Sequence, residues 1–178
     1  YKRFFLSSHT LKWYRFDQFY KKEKLDVWWN KDNSGLPYFN DLGIKDEFTI
    51  RKLNQLVSRY AKQPFFGVVQ LNTTHYPYEI PSKYNKWNNS FSDTYDNAVL
   101  YQDDIIGTFF KRLKKEGLME NTIVLFASDH GESLTEHHNI GHVESNYTET
   151  ISIPLVAYIP DNIISDKEKS QLKKNLNQ

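Results

Sequence analysis

The chain has 178 residues, a length typical of one domain, and its 16% aromatic content argues against a disordered chain. Its 23 Lys and Arg residues nearly balance 22 Asp and Glu residues, so no overall basic field attracts nucleic acid or anionic lipid, and any charge chemistry must be local. The absence of cysteine excludes disulfides, a thiolate zinc site and a cysteine nucleophile within the chain.

The first part of the chain predicts a strand, an aromatic segment, a loop and a helix. Residues 3–7 predict a short buried strand, and residues 10–30 are dense in aromatic residues and Lys without a clear period. Residues 31–43 carry turn chemistry and predict a loop. A helix follows, which Asp46 can cap and Pro64 ends. Its buried face is predicted to carry Phe48, Leu53, Leu56, Val57 and Tyr60.

The middle of the chain predicts a strand, a helix and a second strand. Residues 65–71 are a short apolar run, predicted as a strand buried on both faces, and residues 72–94 predict a polar loop. A helix from about 95 to 115 ends before Gly117, and residues 122–127 predict the next buried strand. The predicted core stripe of this helix is Val99, Ile106, Phe109, Phe110 and Leu113.

The predicted order of elements indicates an α/β fold. The strand, helix and strand within residues 65–127 form a βαβ unit, which implies a parallel sheet with a right-handed crossover. After a long polar loop over residues 128–150, residues 153–158 predict a further strand, and a charged helix begins at about Ser165. The organisation is therefore α/β, in a single domain over residues 1–178.

Histidines and carboxylates follow the predicted strands. In open α/β sheets, ligands bind beyond the carboxyl ends of the strands. Here His75 follows the strand at 65–71, and Asp129-His130 follows the strand at 122–127. The loop that continues from there adds Glu132, Glu136, His137, His138 and His142. Five of the six histidines are thus expected at one edge of the sheet.

Asp129 and His130 together suit a metal ion. A carboxylate oxygen and an imidazole nitrogen are ligands for Zn²⁺ or Mn²⁺, and less readily for Ca²⁺. The alternative is that Asp129 caps a turn and His130 is an ordinary loop histidine. His75 and His142 have the same alternative, although Gly141 permits a tight turn that aims the His142 imidazole inward.

Several motifs agree in order and spacing with one known family. Residues 72–78 (Asn-Thr-Thr-His-Tyr-Pro-Tyr) resemble the His-x-Pro-Tyr loop of sulfatases, and residues 95–104 resemble the helix that follows it. Residues 117–134 look like the metal-binding strand and turn of that family, and residues 136–142 are similar to its next loop. The ordered set resembles the sulfatase branch of the alkaline phosphatase superfamily, which includes phosphoethanolamine and lipoteichoic-acid transferases.

The resemblance implies a role for each matching residue. Asp129 and His130 would be metal ligands, with Zn, Mn or Ca as the ion. His75 and His142 would contact the transferred sulfuryl or phosphoryl group or protonate the leaving oxygen. Glu132 and His137 would support the site by contacting the ligands and not the ion itself.

The resemblance also implies a fold and a setting. The fold would be alkaline-phosphatase-like, with a mostly parallel sheet and helices on both faces, of which this chain is an incomplete part. The family's hydroxyl nucleophile has no counterpart in this chain and is expected in a segment outside it. The related enzymes work outside the cytoplasm, so we expect a periplasmic or cell-envelope location, and the full-length protein can be membrane-anchored.

Three functions stay open from the sequence. The first is a metal-dependent hydrolase of sulfuric or phosphoric esters. The second is a phosphotransferase that acts on phosphoethanolamine or glycerol-phosphate head groups, and residues 43–47 resemble the transferase side of the branch. The third is a non-catalytic remnant that serves as a structural or interaction module. The expected partner of either enzyme is a small anionic ester or a lipid head group, and no nucleic acid.

Overall fold

The computed structural model describes residues 1–20, 24–142 and 146–175. The chain forms two compact units, Tyr1–Phe109 and Phe110–Gln178, and each is described by itself. The single catalytic domain inferred from the sequence stays a prediction. Within the described ranges, no helix is both long and apolar enough to cross a bilayer.

The first unit is built on a three-stranded parallel sheet. Its strands are β1 (Lys2–Ser7), β2 (Val27–Trp29) and β3 (Phe65–Gln70), in the order β2-β1-β3. Phe4 and Leu6 on the central strand are almost fully buried, because β1 has a hydrogen-bonded neighbour on each side. The strand predicted at residues 3–7 and the parallel sheet are both confirmed.

Three helices accompany this sheet: α1 (Phe16–Tyr20), α2 (Asp46–Tyr60) and α3 (Phe91–Lys115), the last of which runs on into the second unit. The second of them packs against β1 and β3. Its buried apolar residues recur at helical spacing, as predicted, because only one face of a surface helix meets the core. They are Ile50, Leu53, Leu56, Val57 and Tyr60. The prediction is wrong at Phe48, which is only half-buried, and it missed Ile50, which is buried.

Asp46 does not cap α2, contrary to the prediction. The residue before the helix is Lys45, whose side chain makes no capping hydrogen bond. Asp46 is the first helical residue and is completely buried. Its carboxylate instead accepts hydrogen bonds from the backbone N–H groups of Asn72 (2.8 Å) and Thr73 (3.0 Å). Those buried N–H groups need an acceptor, so α2 becomes attached to the loop that carries His75.

The stripe predicted for α3 is wrong at one position. Val99 is 42% exposed, whereas Ala98 and Tyr101 are buried. Tyr101 takes the packed face because its ring is larger and its hydroxyl can still accept a hydrogen bond from the backbone N–H of Glu47, at 3.3 Å. The predicted end is confirmed, because the helix stops two residues before Gly117, which has φ +68°.

The described residues of the second unit form two antiparallel strand pairs and two short helices. Its strands are β4 (Val124–Ala127), β5 (Ser133–Leu134), β6 (Ile140–Gly141) and β7 (Leu155–Tyr158). Its helices are α4 (Thr148–Ile151) and α5 (Asp166–Asn175). β4 pairs with β7, and β5 pairs with β6. The segment predicted as one polar loop over residues 128–150 therefore contains a small hairpin and a helical turn.

Two expectations about strands are wrong. The βαβ unit predicts that β3 and β4 share a parallel sheet, but in the described residues β3 pairs with β1, and β4 pairs with β7 in antiparallel fashion. Of the two strands predicted to be buried, β3 is exposed at Phe66 (61%) and β4 is exposed at Leu125 (69%). An apolar run predicts that a strand forms, but its partner and its cover depend on residues distant in the chain.

Candidate metal centre

Three ligand-type side chains of the second unit converge: His130, Glu132 and His142. One donor atom from each lies within 4.8 Å of the other two. The Nδ1 atom of His142 is 3.5 Å from Oε1 of Glu132, and the rings of His130 and His142 stack with their centroids 3.6 Å apart. Two imidazoles and a carboxylate form a donor set that suits Zn²⁺ or Mn²⁺.

The hairpin of β5 and β6 produces this convergence. Glu132 directly precedes β5, and His142 directly follows β6. The register pairs Ser133 with Gly141, so the two flanking side chains emerge beside each other. Gly141 has φ +89°, a conformation that side chains disfavour, and this local turn directs the chain into His142.

Glu132 gives the cluster its electrostatic character. Its side chain is only 7% exposed, and a buried carboxylate is costly unless a positive or hydrogen-bonding partner compensates its charge. The Nδ1 atom of His142 faces this carboxylate, and a bound metal cation would compensate its charge. The sequence predicts Glu132 as a supporting residue, whereas the structure places its carboxylate among the donor atoms themselves.

Asp129 lies beside His130 but is not among the three converging donors of the described residues. The Nδ1 atom of His130 lies 2.7 Å from the carbonyl oxygen of Gly131, and that oxygen can only accept, so Nδ1 carries the proton and Nε2 the lone pair. Oδ1 of Asp129 is 3.8 Å from this Nε2 atom.

The turn that contains His130 and Gly131 packs closely against α4. The N–H of Gly131 donates a hydrogen bond to the carbonyl oxygen of Thr150. A Cβ at residue 131 would lie only 2.1 Å from the carbonyl oxygen of Glu149.

His137 makes a different set of contacts. Its Nδ1 atom is 2.7 Å from Oε1 of Glu149, and its ring stacks on Tyr147 with centroids 3.7 Å apart. These contacts tie the loop between β5 and β6 to the start of α4. His137 is not among the converging donors of the described chain, and its supporting role stays a prediction.

His75 belongs to the first unit and follows β3, as predicted. Its Nδ1 atom lies 2.7 Å from the carbonyl oxygen of Tyr76, so Nε2 again carries the lone pair. The loop that positions His75 is attached to Asp46 through Asn72 and Thr73. The side chain is half-buried at the carboxyl end of a parallel strand, where ligands bind in α/β folds.

His9 is a candidate residue that the sequence analysis missed. It follows β1, and because β1 and β3 are parallel neighbours, His9 and His75 lie at the same edge of the sheet. Burial lowers the pKa of His9, and the nearby charge of His75 lowers it further, against a hydrogen bond between its Nδ1 and the carbonyl of Thr10 that raises it. The signal was present, because the strand predicted at residues 3–7 ends two residues before this histidine.

A solved structure defines the class of the fold. A protein of the alkaline phosphatase superfamily from Vibrio parahaemolyticus is similar over 90% of this chain and 39% of its own, with 26% identity and a TM-score of 0.69. The fold is therefore α/β and alkaline-phosphatase-like, as the sequence predicts. The sequence model of the Sulfatase family matches residues 1–177, and the chain belongs to this family.

Curated relatives include both a transferase-type enzyme and a sulfatase. Lipoteichoic acid synthase 1 of Bacillus subtilis (strain 168) is 28% identical over 145 residues, which cover 78% of this chain and 21% of that protein. The endo-4-O-sulfatase of Bacteroides thetaiotaomicron is 29% identical over 129 residues, which cover 59% of this chain and 25% of that protein. The chain thus spans about a fifth to a quarter of the length of these relatives.

Proposed function

We propose that this chain carries the metal-binding part of an active site that transfers glycerol-phosphate head groups, in the manner of a lipoteichoic acid synthase. The observation that carries the proposal is the convergence of His130, Glu132 and His142, with Asp129 beside them. The similarity to lipoteichoic acid synthase 1 extends over more of the chain than the similarity to the sulfatase, 78% against 59%. Hydrolysis of a sulfuric or phosphoric ester is the second candidate, and the sulfatase relative favours it.

The described side chains have separate tasks in this proposal. His130, Glu132, His142 and Asp129 would hold a divalent ion, Zn²⁺ or Mn²⁺ in preference to Ca²⁺ because of the imidazole nitrogens. When bound, such an ion offsets the negative charge of the ester oxygens and promotes ionisation of a hydroxyl nucleophile. The resemblance assigns that nucleophile to a segment other than this chain.

The histidines of the first unit would handle protons and anionic oxygens. His75 and His9 each hold a proton on Nδ1 and present the lone pair of Nε2, which can accept a proton from a hydroxyl group. The lowered pKa of His9 keeps its imidazole neutral near pH 7, so it acts as an acceptor and not as a fixed cation. The substrate would be an anionic head group, and the reaction would take place outside the cytoplasm.

Metal binding by the purified chain tests the donor set. We expect titration calorimetry with Zn²⁺ or Mn²⁺, after removal of metal by a chelator, to show about one ion per chain. Glu132→Gln and His142→Ala should each weaken binding about tenfold or more. The matched control is His138→Ala, because His138 is exposed and outside the converging donors of the described residues. Absence of binding, or an equal loss in the control, would contradict the proposal.

A paired assay of the full-length protein separates the two reactions. We expect metal-dependent turnover of a fluorescent phosphatidylglycerol and much slower turnover of an aryl sulfate. Preferential cleavage of the aryl sulfate would select the hydrolase instead. Bound metal without turnover of either substrate would favour the non-catalytic remnant.

A further inference from the structure

Residues 11–24 concentrate basic and aromatic side chains. This stretch contains five Lys or Arg residues and two acidic residues, a net charge of +3, although the whole chain has a net charge of only +1. It also contains five aromatic residues: Trp13, Tyr14, Phe16, Phe19 and Tyr20. Neither the candidate metal centre nor the pair of histidines accounts for this composition.

The segment is anchored to the first unit by two inward-facing side chains. Leu11 is 3% exposed, and its N–H donates a hydrogen bond to the carboxylate of Asp32 at 2.9 Å. The Tyr20 ring stacks on Phe5 of β1 with centroids 4.6 Å apart. The burial of Leu11 and the ring contact of Tyr20 with β1 therefore attach the segment to the first unit.

Three further rings of the segment are about half exposed or more. Trp13 is 47% exposed, Phe16 is 49% exposed and Phe19 is 64% exposed. Lys12 and Arg15, between and beside them, are exposed as well. Single exposed apolar residues are ordinary, but three large rings on one short segment form a patch of the kind that marks a binding surface.

We propose that this aromatic–basic patch, formed by Lys12, Trp13, Arg15, Phe16 and Phe19, docks on the surface of a bilayer that contains anionic lipids. Aromatic rings partition into the region between head groups and acyl chains, while Lys and Arg attract anionic head groups. The charge of the patch selects this partner, since Lys12 and Arg15 give it two positive charges in a nearly neutral chain, and a purely apolar partner gives no reason for them.

The patch adjoins the histidine edge of the sheet. The centroids of the Trp13 and His9 rings are 5.3 Å apart, with one ring edge-on to the other. His9 and His75 lie at the same edge of the sheet. Docking of the patch would therefore hold lipid head groups next to these imidazoles. The inference deepens the proposed function and rests on it for this step, because a lipid-borne substrate is what such docking would deliver.

Vesicle sedimentation tests the inference. We expect the chain to bind phosphatidylcholine vesicles that contain phosphatidylglycerol at least tenfold more tightly than vesicles of phosphatidylcholine alone. Added salt should weaken the binding, because exposed charges are screened. The double variants Phe16→Ser/Phe19→Ser and Lys12→Glu/Arg15→Glu should each lose about tenfold in affinity.

Matched controls guard against general effects of apolarity and charge. Leu172→Ser and Lys114→Glu change exposed residues of the second unit and should leave binding unchanged. Circular dichroism spectra should be the same for all variants, and a patch variant that fails to fold is replaced by the single change Phe19→Ser. Trp13→Phe should also remove most of the shift in tryptophan emission that vesicles induce.

Several outcomes would overturn the inference. These are equal binding to neutral and anionic vesicles, no binding, or an equal loss in the controls. A patch variant that dissolves a dimer in the ultracentrifuge would instead assign the patch to a second copy of the chain. Failure here is distinguishable from failure of the proposed function, because metal binding is measured without lipid.

Discussion

Three histidines share one local geometry. In His9, His75 and His130, Nδ1 faces the carbonyl oxygen of the next residue in the chain. A carbonyl oxygen only accepts, so each ring holds its proton on Nδ1 and directs the lone pair of Nε2 away from its own backbone. All three histidines follow a β-strand. Within a strand, side chains must point alternately to the two faces of the sheet, but after the strand ends the chain turns and this restriction no longer applies. The same contact between Nδ1 and the following carbonyl oxygen thus occurs after three strands of the chain.

The titration of His9 is a prediction at this scale. Because burial lowers its pKa, we expect nitrogen-resolved NMR to find the neutral, Nδ1-protonated ring at pH 6.5, where an unperturbed histidine is half protonated. Below that pH the unfolded chain binds this proton before the folded chain does. The free energy of unfolding should therefore fall as the pH decreases from about 6.5 towards the lower, folded pKa of His9.

The variant His9→Gln provides the control for this titration. It removes the ionisable ring, so the part of the pH dependence that belongs to His9 should disappear from chemical unfolding curves. A His9 resonance that titrates at or above pH 6.5 would contradict the geometry of the histidine edge.

At the scale of elements, a buried carboxylate fixes the loop that carries His75. Besides the two backbone N–H groups of Asn72 and Thr73, Asp46 accepts hydrogen bonds from the Thr73 hydroxyl (2.6 Å) and the Gln102 amide (3.2 Å). Asp46→Asn puts an amide donor where only acceptors fit. We expect the free energy of unfolding in urea to drop by about 2 kcal/mol or more, since hydrogen bonds to charged groups are worth about 1.5–3 kcal/mol each.

The control for this change is Asp41→Asn, because Asp41 is exposed and precedes the same helix. Its effect on stability should stay within about 0.5 kcal/mol. The NMR signals of His75 should also move in the Asp46 variant and remain in place in the control. Equal stability of the two variants would show that Asp46 is not the anchor of the loop.

In the second unit, close packing at Gly131 fixes the turn that carries His130. A Cβ at this position would lie 2.1 Å from the backbone carbonyl oxygen of Glu149, so Gly131→Ala must displace the turn that carries His130. We expect weaker metal binding and lower stability. Gly107→Ala is the matched control, because nothing lies within 4 Å of the added methyl group in α3, and it should stabilise the chain by about 0.5–1 kcal/mol. Unchanged metal affinity in the first variant would separate Gly131 from the site.

These elements also show what the sequence could and could not predict. The buried face of α2 was predictable, because a surface helix buries residues at a fixed period. The hairpin of β5 and β6 was not, since strands of two residues are too short to show alternation, although this hairpin brings Glu132 to His142. His9 was missed because its place depends on the pairing of β1 with β3, which distant residues decide. The motifs identified candidate ligands, whereas the approach of Glu132 to His142 became visible only in the fold.

At the scale of the whole molecule, metal binding should be visible as stability. A ligand that binds only the folded chain stabilises it by about 2.7 kcal/mol at a concentration one hundred times its dissociation constant. We expect Zn²⁺ at such a concentration to raise the thermal midpoint of the chain by several degrees, by about 2–4 °C for each kcal/mol at this size. Differential scanning calorimetry measures this shift directly.

The variants decide where that stabilisation originates. Glu132→Gln keeps the size of a buried side chain but removes its charge, so the shift with Zn²⁺ should shrink or vanish even if the variant without metal is as stable as the parent chain. His138→Ala should retain the full shift, because this exposed histidine is outside the converging donors of the described chain. A shift that survives in Glu132→Gln and disappears in His138→Ala would move the ion away from the hairpin and overturn the assignment of the metal centre.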